Sequence, residues 1–301
     1  MQIPAQFTNQ ITKAFGVDGH KWLQLLPKII NYSINKWQLK NVVTVGGLSN
    51  NYVAYGYSDI YKSNIVLKIS TFGKEFQNEK SALLYFNGHG VNRLLDYDNT
   101  YSILLLEKIG DGVTLSSLFP ENENQAIRVA TSVINQLHST KKPPKEDTYP
   151  TLSEYVTAFD IFTHHEIHNE LISFAQNLSS ELLCQNRPNY LLHGDLHHFN
   201  IISSADGSWT SIDPHGVIGP IEYEIGAFIR NPVPDIFNQN NLQQLLTNRF
   251  NLFSELLGLD RKLLIQYSYM STMLAIIWDI ENNGDFYSGW LDCLKIIKRL
   301  I

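Results

Sequence analysis

The chain has 301 residues, 44% of them hydrophobic and 17% charged, with a net charge of −6. That length suits one large domain or two lobes, the apolar content is too high for a disordered chain, and no basic excess points to nucleic acid as a partner. Cys184 and Cys293 lie far apart and form no metal or redox motif, as in a protein of a reducing cytosol. Residues 1–16 lack the apolar core of a signal peptide. The most apolar later stretch, Met270 to Trp278, is too short to span a bilayer. A soluble cytoplasmic protein without a membrane partner is the expectation, and the oligomeric state stays open.

Trp22, Leu23, Leu26 and Ile30 recur at helical spacing, so residues 1–37 read as short helices. Val42 to Val45 then reads as a strand ending at Gly46-Gly47, Tyr52 to Tyr57 as a second and Ile65 to Ile69 as a third. β-branched and aromatic residues dominate these runs, and Gly, Asn and Ser separate them. A helix is predicted from about Lys74 to Phe86, and Tyr101 to Leu106 reads as a buried strand. Beyond Glu107 the pattern is mainly helical. Ile127, Ala130, Ile134 and Leu137 mark one helix face, and Lys141 to Asp147 is a charged, Pro-rich surface loop. Two longer helices are predicted in Leu152 to Leu183, a short β pair around Ala205-Asp206-Gly207-Ser208, and three or four helices from Glu222 to Ile301. The expected fold is therefore α+β. A small antiparallel β-rich lobe, 1–106, precedes a mainly helical lobe, 107–301, and a cleft between lobes is a common ligand site.

The strongest local pattern is His193-Gly194-Asp195-Leu196-His197-His198-Phe199-Asn200 followed by Ser211-Ile212-Asp213-Pro214. An Asp and an Asn five residues apart, then a hairpin and a second Asp, give the spacing that phosphoryl transfer from ATP uses in a kinase. Asp195 is the candidate catalytic base. Asn200 and Asp213 offer the oxygen ligands that Mg²⁺, a hard cation, prefers. Upstream, Lys68 in an apolar strand is the candidate partner of the α- and β-phosphates, and Glu79 in the next helix the candidate ion-pair partner of Lys68. Gly46, Gly47, Ser49 and Asn50 lie in the link between the first two strands, where small residues let backbone N–H groups approach phosphate.

These residues resemble the aminoglycoside phosphotransferase family, whose two-lobed fold is related to protein kinases. Leu191 to His197, then Ile212-Asp213-Pro214 and Gly216, are similar to its branch of streptomycin 6-phosphotransferases and hydroxyurea kinases. Tyr223 to Ala227 and Arg230-Asn231-Pro232 resemble that branch's continuation. The resemblance implies a kinase that moves the γ-phosphate of ATP to a hydroxyl of a small molecule, with an aminoglycoside such as streptomycin the leading acceptor. It also implies adenine near Leu106 to Gly110, beside Glu107. The glycine-containing loop departs from G-x-G-x-x-G, Phe199 replaces a small residue, and His198 stands where the family often has Pro.

Other readings compete. Asp195 and Asn200 are also ordinary turn residues, Lys68 a snorkelling strand lysine, and Glu75 a rival of Glu79. His193, His197 and His198 with Asp195 suggest a metallohydrolase, but no second His/Asp cluster accompanies them. A kinase for another small metabolite or hydroxyurea is one alternative, and a nucleotide-binding regulatory module without turnover is the alternative from another class. The acceptor is expected between the Asp195 loop and the segment from Trp278 to Trp290. There Asp279 and Asp285 would meet cationic groups, and Trp278 and Trp290 would cover rings; a solvated acidic face is the alternative.

Overall fold

The computed structural model describes residues 3–71, 73–139, 148–164, 167–284 and 286–301. The charged loop 141–147 and Asp285 lie outside them. The chain divides into two compact units, one of residues 1–88 and 92–109 and one of residues 89–91 and 110–301.

The first unit opens with α1 (Ala5–Trp37), which is broken at Gly16 (φ 54°, ψ −128°). The short helices expected there are two stretches that meet at this kink, a conformation glycine's freedom permits. Its buried residues Trp22, Leu26, Ile29, Ile30, Ser33 and Trp37 recur every three or four positions. The stripe lies in one hydrophobic core with the β-sheet, where Tyr52, Ala54, Ile65, Leu67, Ile69, Ile103 and Leu105 share a face.

That sheet contains β1 (Leu39–Thr44), β2 (Asn51–Ser58), β3 (Ser63–Ser70), β4 (Leu94–Asp98) and β5 (Ile103–Glu107), in the antiparallel order β1-β2-β3-β5-β4. Helix α2 (Gly73–Phe86) follows β3. Strand β4 was absent from the sequence reading. Its Asp96 and Asp98 disguise it, yet both are satisfied: Trp37 Nε1 donates to Asp96 (2.8 Å), and Lys36 (2.7 Å) and Tyr32 (2.8 Å) donate to Asp98.

In the second unit, α3 (Glu123–Leu137) follows a 3-10 turn at Leu115–Leu118. The two longer helices expected in 152–183 are instead two single turns, α4 (Leu152–Tyr155) and α5 (Ala158–Ile161), and one long helix, α6 (Asn169–Leu183). Thr151 and Glu154 form a reciprocal capping box that starts α4, and Phe162 is extended where α5 ends. Next come β6 (Tyr190–Leu192), β7 (Ile201–Ser203), β8 (Trp209–Ser211) and β9 (Val217–Gly219). They pair as two antiparallel ribbons, β6 with β9 and β7 with β8. The sequence reading found only the second ribbon; three-residue strands carry too little periodicity to declare themselves.

Helices α7 (Gly226–Ile229), α8 (Leu242–Leu257), α9 (Arg261–Asn283) and α10 (Gly289–Leu300) complete the unit. Gly258 in the left-handed region closes α8, and Asp260 caps α9 by accepting from the Lys262 and Leu263 N–H groups. By length and composition α9 could cross a membrane over Arg261–Glu281, but 72% of its apolar window is buried inside the unit, as in a core helix. The length test applied to Met270–Trp278 alone missed this longer span.

Candidate active site

The two ribbons of the second unit hold the His193–Asn200 loop. Strand β6 delivers His193, and the His215 and Gly216 N–H groups both donate to the His193 carbonyl (2.8 and 3.1 Å). Gly194 sits at φ +84°, and a Cβ there would lie 3.0 Å from Val217 Cγ1, so the position favours glycine on both counts. The His193 ring is fully buried. Its Nδ1 accepts from the Asp195 N–H (3.3 Å), so Nε2 carries the proton it donates to the Ile212 carbonyl (2.9 Å). Burial lowers its pKa, which keeps this bracing imidazole neutral.

Asp195 and Asn200 meet directly. Asn200 Nδ2 donates to the Asp195 carbonyl (3.0 Å) and to Asp195 Oδ2 (3.2 Å). Those two oxygens fix the amide's orientation and leave its Oδ1 for another partner. His197 Nε2 lies 3.3 Å and His215 Nε2 3.8 Å from Asp195 Oδ2, while Arg230 Nη2 lies 3.9 Å from the other oxygen, Oδ1. Burial alone would raise the Asp195 pKa; His197, His215 and Arg230 overcome it and hold the carboxyl well below the usual carboxylate range. Asp213 has φ +57° and follows Ile212, whose N–H bonds the Asn200 carbonyl (2.9 Å). The β7–β8 register, Ile201 opposite Ser211, therefore carries Asp213 to the Asn200 end of the hairpin.

In the first unit Lys68 is central in the sheet, between Val53 of β2 and Leu104 of β5. It is buried, and its Nζ lies 2.8 Å from a Glu79 carboxylate oxygen. Glu79 is buried and Glu75 exposed. Gly46, Gly47 and Ser49 are exposed between β1 and β2, Gly47 at φ +69°; the Asn50 carbonyl accepts from Thr71 Oγ1 (3.2 Å). Glu107, half-buried, ends β5 and donates its N–H to the Arg93 carbonyl (2.9 Å).

The remaining expected residues divide. Trp290 is buried with its ring 5.9 Å from Arg230 Cζ, so α10 does reach the surroundings of Asp195. Trp278 packs edge-on against Tyr155 at 4.9 Å. Asp279 is half-buried eight residues beyond Ser271, the partner of Arg230, which is about 12 Å along a helix. The histidines do not converge as a metallohydrolase requires. His198 is fully buried, stacks on Phe228 at 4.0 Å and faces Glu123 (3.8 Å), and its burial lowers its pKa to about 3. No set of three His, Cys, Asp or Glu placed to hold a metal occurs among the described residues. Phe199 turns outward, edge-on to His197 at 5.9 Å.

Two groups with no assigned role in the sequence reading support the loop. Glu224, in the run already compared with the family, accepts the His193 N–H (2.9 Å) and the Gly194 N–H (3.1 Å), with His138 Nε2 3.4 Å away. Burial would raise its pKa, and His138 and His193 outweigh burial, so it stays ionised below the ordinary glutamate range. A depressed folded-state value gives stability above the unfolded pKa that is lost as pH falls through the folded one. Glu224→Gln should therefore remove stability at neutral pH, by about 1–3 kcal/mol, and flatten the acid limb of the unfolding curve. Denaturant midpoints measured from pH 7 downward check this; parallel curves for the two proteins would count against it.

The second group is Arg249, fully buried on α8. Its Nε donates to Glu123 Oε1 (2.7 Å), and its Nη1 donates to the carbonyls of Phe228 (2.8 Å), Ile229 (2.9 Å) and Asn231 (2.6 Å). The segment bearing Arg230 is thus pinned from below.

The architecture is that of the kinase-like phosphotransferases. Choline kinase LicA from Streptococcus pneumoniae superposes with a TM-score of 0.66 at 16% identity, covering 91% of this chain and 98% of that one. A thermostable mutant of aminoglycoside phosphotransferase APH(4)-Ia, in a ternary complex with ADP and hygromycin B, gives 0.62 at 14% identity, covering 89% and 97%. Sequence places the chain further. It belongs to the aminoglycoside/hydroxyurea antibiotic resistance kinase family, whose sequence model matches residues 59–283. A streptomycin 6-kinase of Streptomyces glaucescens is 27% identical over 291 residues, 94% of this chain and 92% of that one. A hydroxyurea phosphotransferase of Kitasatospora aureofaciens is 23% identical over 290 residues, 94% and 81%. The chain is a small-molecule phosphotransferase.

Proposed function

We propose that the enzyme transfers the γ-phosphate of ATP to a hydroxyl of an aminoglycoside such as streptomycin. The carrying observation is the Asp195–Asn200 contact: one side chain presents an ionised carboxylate to the acceptor, and the other is turned so that its amide oxygen is left for a cation. Asn200 Oδ1 and the Asp213 carboxylate would supply the oxygen donors that suit Mg²⁺. When bound, Mg²⁺ neutralises charge on the phosphates. Lys68, held by Glu79, contributes the phosphate contact of the first unit, and the Gly46–Asn50 link, exposed at Gly46, Gly47 and Ser49, its backbone N–H groups.

Asp195 orients the acceptor hydroxyl and takes its proton as the oxygen bonds to phosphorus and the bond to the ADP oxygen breaks. A carboxylate is a weak base, and it suffices because the transition state is loose, so positioning matters more than basicity. Asp213→Asn should weaken Mg²⁺-dependent ATP binding with little change in folding, because one anionic ligand is lost beside a dication. Calorimetry with ATP at several Mg²⁺ concentrations checks this; an unchanged metal dependence removes Asp213 from the role.

A second acceptor has specific support, since the family and one relative also concern hydroxyurea. Incubation with radiolabelled ATP and a panel containing streptomycin and hydroxyurea distinguishes the two. Labelled streptomycin supports the reading above, labelled hydroxyurea alone moves the acceptor, and labelling of neither refutes both.

A further inference from the structure

Arg230 is more than a charge near the base. It lies just beyond α7, and its residue is 7% exposed. Its Nη1 donates to Ser271 Oγ (2.8 Å), a contact made possible by Gly226, where a Cβ would lie 2.4 Å from Ser271 Cβ. Trp290 covers the guanidinium, and Tyr287 stands against Trp290 at 5.3 Å. The carboxylate it faces, Asp195 Oδ1, is 3.9 Å from Nη2, beyond hydrogen-bond reach. Its Nε is buried with no acceptor among the described residues. A guanidinium carries five donors, and burying one so incompletely partnered is costly. Burial lowers its pKa accordingly.

The two oxygens of Asp195 have different company. Asn200, His197 and His215 gather at Oδ2, the side of the cation ligands; Arg230 alone of these four stands at Oδ1. Oδ1 is thus the oxygen less occupied by protein donors, with Arg230 beside it and Trp290 against Arg230. A gap of 3.9 Å between a carboxylate oxygen and a guanidinium nitrogen is too long for a direct bond. One hydroxyl oxygen that both donates to Asp195 and accepts from Arg230 would span it, as would two neighbouring oxygens of one ligand that divide these roles.

We propose that Arg230 selects the acceptor: while Asp195 receives the reacting hydroxyl, Arg230 Nη2 donates to a second oxygen on the adjoining carbon. The substrate class is then a hydroxylated ring with a vicinal oxygen pair at the phosphorylated position. A simple amino alcohol is disfavoured because it offers Arg230 no second oxygen. This deepens the phosphotransferase reading above and rests on it.

The test combines protein and substrate changes. Acceptor and ATP kinetics are measured for the wild type, Arg230→Gln and Arg230→Lys with streptomycin, with a streptomycin analogue lacking the hydroxyl next to the phosphorylated one, and with choline as the amino alcohol. The expected result is a rise of about 10- to 100-fold in KM for streptomycin in Arg230→Gln, partial recovery in Arg230→Lys, and an unchanged KM for ATP. The wild type should show a similar loss with the deoxy analogue, and the two losses should not multiply. Turnover of choline at the rate of streptomycin by the wild type, or losses that multiply, would overturn the selection role while leaving the kinase intact. A fall in kcat alone would do the same, since it would assign Arg230 to the transferred phosphate. If the wild type phosphorylates none of the three, the aminoglycoside reading and this inference fall together. Melting temperatures of both variants, and the deoxy-analogue measurement on the unaltered protein, keep the result independent of misfolding.

Discussion

Asp195→Ala is expected to reduce phosphoryl transfer by about 10²- to 10⁴-fold while leaving ATP binding nearly intact. The side chain touches Asn200, His197 and, more distantly, His215 and Arg230. The loop's shape, however, depends mostly on other contacts. Glu224 accepts the His193 and Gly194 N–H groups, and His193 reaches the Ile212 carbonyl; none of these needs the Asp195 carboxylate. Asn200 keeps its bond to the Asp195 carbonyl in the variant, one of the two that orient its amide. The loss should therefore fall on kcat rather than on the ATP constant. Single-turnover kinetics with calorimetry of a non-hydrolysable ATP analogue separate the two. Near-normal turnover in a folded Asp195→Ala protein would strip Asp195 of the role.

The largest stability effect is expected at Arg249. Replacing it with Met should cost about 3–5 kcal/mol, a large part of the 5–15 kcal/mol typical of a domain. The substitution leaves Glu123 ionised and buried without its cation, and it strips the carbonyls of Phe228, Ile229 and Asn231 of a donor. Removing both charges should cost less than the sum of the two single changes, because neither is then stranded. Urea midpoints of Arg249→Met, Glu123→Met and the double variant test this. A loss below about 1 kcal/mol for Arg249→Met, or strict additivity, would show that the pair is not a keystone.

Much of this was legible in the sequence because short-range chemistry governs it. The five-residue step from Asp195 to Asn200 and the hairpin before Asp213 encode one local constellation. A lysine amid Val66, Leu67 and Ile69 has few fates other than an ion pair such as Glu79. The illegible parts are those set by partners distant in sequence. Strand β4 forms because β5 supplies its edge, and the β6–β9 ribbon joins residues about 27 apart through three-residue strands. Glu224, His138 and Arg230 lie 29 or more residues from at least one of the groups they serve. Their roles exist only after folding, although Glu224 and Arg230 stood in runs already compared with the family. His198 looked like a departure from a Pro; its ring fills a slot between Phe228 and Glu123 that sequence cannot show.

The β7–β8 hairpin has one further consequence. Its base is fixed by Ile201 opposite Ser211 and by the Ile212 N–H on the Asn200 carbonyl, whereas residues 205–208 at its tip are exposed and, among the described residues, bonded only to one another and to Ser204. The distance in space between the two proposed magnesium ligands is thus set at the base and is indifferent to the length of the tip. Evolution can lengthen or shorten that turn without retuning the metal site, so the interval between the Asn and the following Asp is a poor ruler for recognising such enzymes. The same tip offers a point for inserting a reporter peptide next to, yet mechanically insulated from, the chemistry.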